Sequence, residues 1–600
     1  MIDDPGGAAT RRRHTFSFII FALALIAAGL AIAIALSGGF SVRLFGIRVS
    51  SHGPLRPALV ALLFLAIAYR VRPAWQRDVV VRSLDRMAST VSMCAAPVAA
   101  AVLLAVCWRY GTRAAGGSDS YGYVSQAHLW LAGNLHLHQD FAASVPWPNA
   151  DWTFTPLGYR PAANHTIVPT YAPGLPLIMA MFITMAGTCG AFMVSPLSAA
   201  LLVLLTFALG VQVSGRATGA LAALLIAGSP TILLMSLWPM SDVPAAAFWL
   251  LSLVMAARRP SYTSAALSGI AAGIAILIRP NLGPLIVFAA ALVGWRAGAE
   301  AGVRLRRLVA YALGCLPFAV LVLWVNYDLY GSLLTSGYGD VSSIYKWQNL
   351  RPNLVRYPRW LWETQGAYVF VFLIAVALPR RPRPESRTLR WILLAYIAVV
   401  FGCYLFYIPF DDWWYLRFVI PAMPAMFVLS IDAIWQASRR LGRAWQTIAA
   451  IVFTTLSLTH SIGYAARSYV FEIGEGEQKY VDVGRYLARE LPPETVVISG
   501  LHGGNIRLYS QLRTLRVDLL DRAWLDRAIE YLKSVGPPPY LVLEESEVRN
   551  FRRRFAGQQA VALVDRPAVA VHSRDVYVFS SDLTRSPDRP RTIPHTTGCE

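Results

Sequence analysis

Four charged residues in this chain stand where an apolar run meets polar sequence, and their types suit the handling of phosphates and hydroxyls. Asp119 lies in Gly117-Ser118-Asp119-Ser120-Tyr121-Gly122-Tyr123, at the head of a segment with helical spacing that runs to about Leu131. Asp242 lies in Trp238-Pro239-Met240-Ser241-Asp242-Val243-Pro244, again just before an apolar helix. Arg279 ends a long apolar helix in Ile278-Arg279-Pro280-Asn281, and Arg417 closes Asp411-Asp412-Trp413-Trp414-Tyr415-Leu416-Arg417. A positioned carboxylate takes a proton from a hydroxyl, a contribution of about 10²–10⁴-fold. A guanidinium matches the oxygens of a phosphate or pyrophosphate. Each residue also has a plainer role. The acids suit helix N-termini, the arginines can snorkel to lipid headgroups, and Trp413, Trp414 and Tyr415 suit an interfacial aromatic belt.

The elements that must position these residues are membrane helices. Only 15% of the 600 residues are charged and 56% are hydrophobic, where a soluble protein carries about a quarter charged residues. The net charge of +20 comes from 54 Lys+Arg against 34 Asp+Glu. The excess falls in short clusters between apolar runs, which is the pattern of cytoplasmic membrane loops and not of a nucleic-acid binder. Arg11-Arg12-Arg13 precedes an apolar run over 16–36, too long for a signal-peptide core and long enough to span a bilayer. The N-terminus is therefore expected in the cytoplasm.

Fourteen apolar runs follow one another to residue 463. Counting all of them as crossings places the basic clusters at Arg258-Arg259, Arg304-Arg306-Arg307, 380–390 and Arg439-Arg440-Arg443 on the wrong side. Removing one crossing corrects all four. The run at 173–188 is the one to remove: it is short, follows polar sequence directly and starts Tyr171-Ala172-Pro173-Gly174-Leu175-Pro176, which disfavours a regular helix start. About 13 transmembrane helices are expected, with Asp119, Asp242, Arg279 and Arg417 all on the outer face.

The expected organisation is two N-terminal helices with a basic loop (1–87), a membrane domain (88–465) with a first outer loop at 108–170, a small α/β domain (466–582) and a disordered tail (583–600). The α/β expectation rests on helical segments at 476–490 and 523–535, each preceding a strand-like run, at 496–499 and 540–543, with a strand pair between 568 and 579. The outer loop expected from Tyr327 to Trp362 opens with a stretch through Tyr338 to Asp340 that is rich in Gly, Tyr and Ser and suits a lid over a sugar. Tyr121, Tyr338 and Tyr415 are candidate substrate contacts. His136, His138 and Asp140 have ligand-like spacing, but no metal site is assigned.

Together these motifs resemble a known family. The order is an outer loop with an acid before Tyr (Ser118-Asp119-Ser120-Tyr121), Ala132-Gly133-Asn134-Leu135 at a helix end, a Pro-Gly-Leu-Pro element and an outer Ser-Asp before a helix. It is similar to the GT-C membrane glycosyltransferases that use polyprenyl-phosphate sugars, within them to bacterial relatives of protein O-mannosyltransferases and of the lipid A aminoarabinose transferase. The resemblance covers roughly 90–440. It implies a polyprenyl-phosphate sugar donor in the bilayer and an acceptor hydroxyl on a lipid, glycan or protein. Inversion at the anomeric carbon and an optional divalent cation (Mg²⁺ or Mn²⁺) follow as well. It maps the catalytic acid onto Asp119 and a second acid onto Asp242, in a bacterial-type inner membrane with the C-terminal domain outside. Ser120 stands where many relatives carry a second acid, and two helices precede the usual first one. The rival reading is a transporter or flippase of a lipid-linked sugar, which predicts polar residues near the bilayer midplane.

Overall fold

The computed structural model describes residues 74–296, 300–377, 384–571, 575–582 and 591–593. Before residue 74 it describes 40–44, 47–51 and isolated helical positions. The chain is a polytopic, mainly helical membrane protein with a small C-terminal α/β domain. Two compact units are present, Met1–Val91 and Ser92–Glu600. In the first, an antiparallel hairpin pairs β1 (Phe40–Leu44) with β2 (Ile47–Ser51), between the two expected N-terminal spans. Those spans fall largely outside the described residues. Helix Ala74–Tyr110 follows, and its apolar part is Thr90–Tyr110.

Six described helices are long and apolar enough to cross a membrane, or eight if each of two bent pairs is one span. Four further apolar helices have 10–17 residues, among them Gly174–Ala186 in the run that parity removes as a crossing. One bent pair, Arg216–Ala227 with Pro230–Leu237, turns by 59°, where Pro230 interrupts the amide ladder. The other, Val341–Gln365 with Ala367–Ala377, turns by 117°. Here the structure differs from expectation twice. Helix Leu350–Gln365 occupies sequence read as external loop, because its arginines mask an amphipathic helix. The run at 366–379 begins as a 3-10 helix, Ala367–Leu373, and not as a regular span.

Small residues set the helix spacing. A Cβ on Gly269 would lie 1.9 Å from the Tyr311 carbonyl oxygen, and one on Gly273 would meet the Phe318 ring at 2.6 Å. Helices Tyr262–Ile278 and Ala301–Tyr330 therefore run side by side at backbone contact, as membrane helices do where glycine removes the side-chain spacer.

The long loop after helix Ala74–Tyr110 carries a three-stranded antiparallel sheet of β3 (Leu137–His138), β5 (Thr166–Pro169) and β4 (Tyr159–Pro161), in that order. The C-terminal domain holds β6 (Val496–Ser499), β7 (Arg513–Arg516), β8 (Tyr540–Glu544), β9 (Val569–Val571), β10 (Val576–Ser580) and β11 (Arg591–Ile593). They form one mixed sheet in the order β11-β9-β10-β8-β6-β7. Alternate residues face two separate cores. Val496, Ile498, Leu541 and Leu543 point to one, Val497, Val542, Val576 and Val578 to the other. Helix Leu525–Val535 buries Leu525, Ala528, Ile529 and Leu532, the i, i+3, i+4, i+7 stripe that covers the first face. β11 corrects the expectation of a disordered tail: Arg591–Ile593 pairs in parallel with β9. Its three residues are too short to stand out in a proline-rich stretch, and Ile593 closes the second core.

Candidate active site

Both acids sit in the first turn of a helix, and neither serves as its side-chain cap. Helices Asp119–Ala132 and Asp242–Ala256 follow Ser118 and Ser241 with no side-chain cap hydrogen bond. The carboxylates are engaged elsewhere. Arg417 Nη2 donates to Asp119 Oδ2 at 2.8 Å, and the Tyr171 hydroxyl donates to Asp119 Oδ1 at 2.7 Å. Asp242, fully buried, is 2.7 Å from Arg279 Nη2. This ion pair is not aligned as a hydrogen bond.

Arg279 does not snorkel to lipid. It follows the last turn of helix Tyr262–Ile278, where a non-helical backbone (φ −140°, ψ 85°) ends the helix. Its side chain is only 13% exposed. Arg279 Nε donates to Ser241 Oγ at 2.9 Å and Nη1 to the Tyr404 hydroxyl at 3.2 Å, which also accepts from Asn281 at 3.0 Å. The Tyr123 hydroxyl joins Ser241 Oγ at 2.9 Å, tying the helix that begins at Asp119 to the loop that precedes Asp242.

The two guanidiniums share one ring. Arg417 and Arg279 lie 5.2 and 5.6 Å from the Phe418 centroid, and Tyr404 stacks on the same ring at 5.0 Å. Cation–π attraction offsets part of the cost of placing like charges together. Arg417 also lies 5.4 Å from the Tyr415 ring, which stacks on Phe410. Arg417 Nε is buried and has no hydrogen-bond partner among the described residues. The site is thus a neutral cluster of two acids and two arginines, from four separate elements, with one N–H left over.

Burial would push the Asp119 carboxyl up. The Arg417 charge and the Tyr171 hydrogen bond outweigh it, and the net result is a pKa below the usual carboxylate value. Asp119 is therefore ionised at neutral pH but held in an ion pair.

Tyr338 stands over this pair, edge-on to Tyr171 at 6.0 Å and half-exposed. Its loop is pressed onto the first outer loop: a Cβ on Gly337 would lie 2.1 Å from the Thr170 carbonyl oxygen. Tyr121 is placed differently. It is buried against the C-terminal domain, where a Cβ on Gly504 would meet its ring at 2.3 Å, and it does not join the charged cluster. Tyr171, Ser241, Tyr123 and Tyr404 were missed by sequence reasoning. Tyr171 had a signal, since it begins the Tyr-Ala-Pro-Gly stretch.

The donor set does not suit a divalent cation. Each acid is matched by a guanidinium, and no group of three His, Cys, Asp or Glu side chains converges among the described residues. His136 pairs instead with Asp328 at 3.4 Å, and both line, with His138, Arg160 and Tyr330, a cleft of about 620 Å³ beside the small sheet. Asp140 opens the 3-10 helix Asp140–Ser144 and does not line that cleft, so it makes no ligand set with His136 and His138.

The C-terminal domain holds the loops that carry the acids. Ala115 N donates to the Tyr509 hydroxyl at 2.9 Å, and Trp238 Nε1 donates to Glu477 Oε2 at 3.2 Å. Burial raises the Glu477 carboxyl to about 7 despite the nearby Lys479 charge. A raised carboxyl means that the folded state keeps a proton which the unfolded chain, with a value near ~4.3, has released. Stability therefore falls as pH rises through that window. Glu477→Gln should leave the melting temperature unchanged near pH 4 and raise it at pH 8, by on the order of 3 kcal/mol of stability. Thermal melts at both pH values test this, and an equal effect at the two would contradict the assignment.

No family model matches the chain, and no curated protein matches it in sequence. Its similarity to known proteins lies in shape. ArnT from Cupriavidus metallidurans in the apo state aligns with a TM-score of 0.51 at 13% identity, over 82% of this chain and 98% of that one. The chain has the GT-C fold. ArnT bound to undecaprenyl phosphate aligns at 0.47 and 13% identity, covering 82% and 99% of the two chains. The arabinofuranosyltransferase AftD from mycobacteria aligns at 0.49 and 13%, covering 81% of this chain and 41% of that one. Within the GT-C fold of this chain, the charged cluster occupies one end of the helix bundle.

Proposed function

We propose that this protein transfers a sugar from a polyprenyl-phosphate donor to an acceptor hydroxyl at the outer face of the membrane, with inversion. The observation that carries the reading is the Asp119–Arg417 pair beside Asp242–Arg279, at one end of the helices that bear them. ArnT, whose fold this is, has also been solved with undecaprenyl phosphate, which is consistent with a lipid-phosphate donor here.

The proposed mechanism uses only the chain's own groups. Arg417 and Arg279 bind the donor phosphate, and the unpartnered Arg417 Nε supplies a donor at once. As Arg417 turns toward the phosphate, Asp119 loses the charge that holds its carboxyl low. Donor binding thus makes Asp119 a stronger base at the moment one is needed. Asp119 accepts the acceptor hydroxyl's proton as the oxygen attacks the anomeric carbon. The bond to the phosphate oxygen breaks on the opposite face, and the arginines stabilise the departing lipid phosphate. Asp242 fixes Arg279, and Tyr338 covers the reacting groups. No step uses a metal.

The flippase reading is set apart by one experiment. In a deletion strain, mass spectrometry of envelope glycans should show the loss of one sugar. The lipid-phosphate sugar should accumulate with its sugar accessible from outside. Accumulation with the sugar facing the cytoplasm would favour the flippase instead.

A further inference from the structure

The far end of the same helices carries a second concentration of cations. Helix Asp242–Ala256 starts at the candidate active site, and helix Tyr262–Ile278 returns to it at Arg279. The turn between them therefore lies a helix length away, about 22 Å at 1.5 Å per residue. Helix Ala301–Tyr330 runs alongside with Tyr311 against Gly269, so Arg307, one turn earlier, lies at that far end too. A cleft of about 710 Å³ opens there, lined by Arg258, Arg259, Ser261, Ser264 and Arg296 among others.

Arg307 is 2% exposed, and Nε, Nη1 and Nη2 are all buried without a hydrogen-bond partner among the described residues. The groups that act on it electrostatically are Arg296, a like charge, and Tyr262. A buried charge with no counter-ion is strongly destabilising. Ser261 and Ser264 form a capping box at the start of the 17-residue helix Tyr262–Ile278, so the positive end of that helix faces the cleft as well. The five fixed N–H donors of a guanidinium match a phosphate. Arg390, near the start of helix Pro384–Leu405, repeats the pattern with buried, unpartnered Nε and Nη1.

We infer that this end of the bundle, opposite the candidate active site, binds a phosphate-bearing anion between Arg296, Arg307 and the Arg258-Arg259 turn. The anion is either an acidic phospholipid headgroup or a soluble phosphate. The site is distinct from the donor site of the proposed reaction and does not depend on that reading.

The test uses the full chain purified in neutral detergent and stripped of lipid. Native mass spectrometry follows its retention of phosphatidylglycerol against phosphatidylcholine, and thermal melts are recorded with each lipid and with inorganic phosphate. The wild type should retain phosphatidylglycerol preferentially and melt higher in its presence. Arg307→Met should lower that retention about 10- to 100-fold. It should be as stable as the wild type, or more so, when no phosphate is present, because it removes an uncompensated charge. A melting gain from inorganic phosphate equal to that from phosphatidylglycerol assigns a soluble ligand, and a gain from the lipid alone assigns the headgroup. Should Arg307→Met fail to fold, the exposed pair Arg258→Gln/Arg259→Gln replaces it and should weaken retention in the same direction. Equal lipid retention and equal melting gains in wild type and variants would overturn the inference.

Discussion

Asp119→Asn should lower sugar transfer by about 10²–10⁴-fold while membrane levels of the protein stay normal. The substitution preserves shape and keeps an oxygen for the Tyr171 hydroxyl, but removes the basic carboxylate. The Asp119 side chain is 26% exposed, so loss of its ion pair with Arg417 is partly screened by water, and the fold should tolerate it. Transfer measured in membranes with a defined lipid-phosphate donor, alongside the amount of folded protein, checks this. Full activity at normal levels would remove Asp119 from the mechanism. The pH dependence carries a second sign. Because Asp119 is held below the usual carboxylate range, it stays ionised until acid drives it through that lowered value. The acid limb of free-enzyme kcat/KM should therefore lie below the range of an ordinary carboxylate. A Tyr171→Phe variant, which removes one hydrogen bond to the carboxylate, should move that limb upward.

The second large effect concerns the deeper pair. Arg279→Met leaves Asp242 buried and alone, and should cost about 3–5 kcal/mol of stability. The protein should then be poorly retained in the membrane fraction. Arg279→Met combined with Asp242→Leu removes both charges, and apolar replacement of a buried pair is often neutral. The double variant should recover stability without recovering transfer. Melting temperatures of the two variants, read beside transfer activity, separate the roles. A single variant as stable as the wild type would show that the pair is not the structural unit its burial indicates. Recovery of activity in the double variant would show that Arg279 does not hold the donor.

That the four charges share one end of the helices was legible before any coordinates, for a physical reason. Basic clusters at Arg258-Arg259 and Arg304-Arg306-Arg307 fix which ends of the helices share a face, and Asp242 and Arg279 begin and end one helical hairpin, so both lie at its open end. The elements of the C-terminal domain were legible as well, since β6 and β8 are apolar runs bounded by amphipathic helices. The partnerships were not. Asp119 finds Arg417 across 298 positions, and nothing local marks which arginine belongs to which acid. Nor did pattern reveal helix Leu350–Gln365 or strand β11, one hidden by its charges and the other by its length. The acids looked like helix caps because cap positions and active-site positions favour the same residues. Only the direction of the side chain tells them apart, and that is set by Tyr171 and Arg417.

The contact between Ala115 and Tyr509 spans 394 positions of sequence, and this orders events in the life of the molecule. The segment bearing Asp119 is made early, yet the residues that brace it emerge near the end of translation. At about 5–20 residues per second, roughly 20–80 seconds separate the two. During that interval the loop that carries Asp119 is without its brace. The site can be completed only after the last domain has folded, so a chain whose synthesis stops early yields a helix bundle with an unfinished centre.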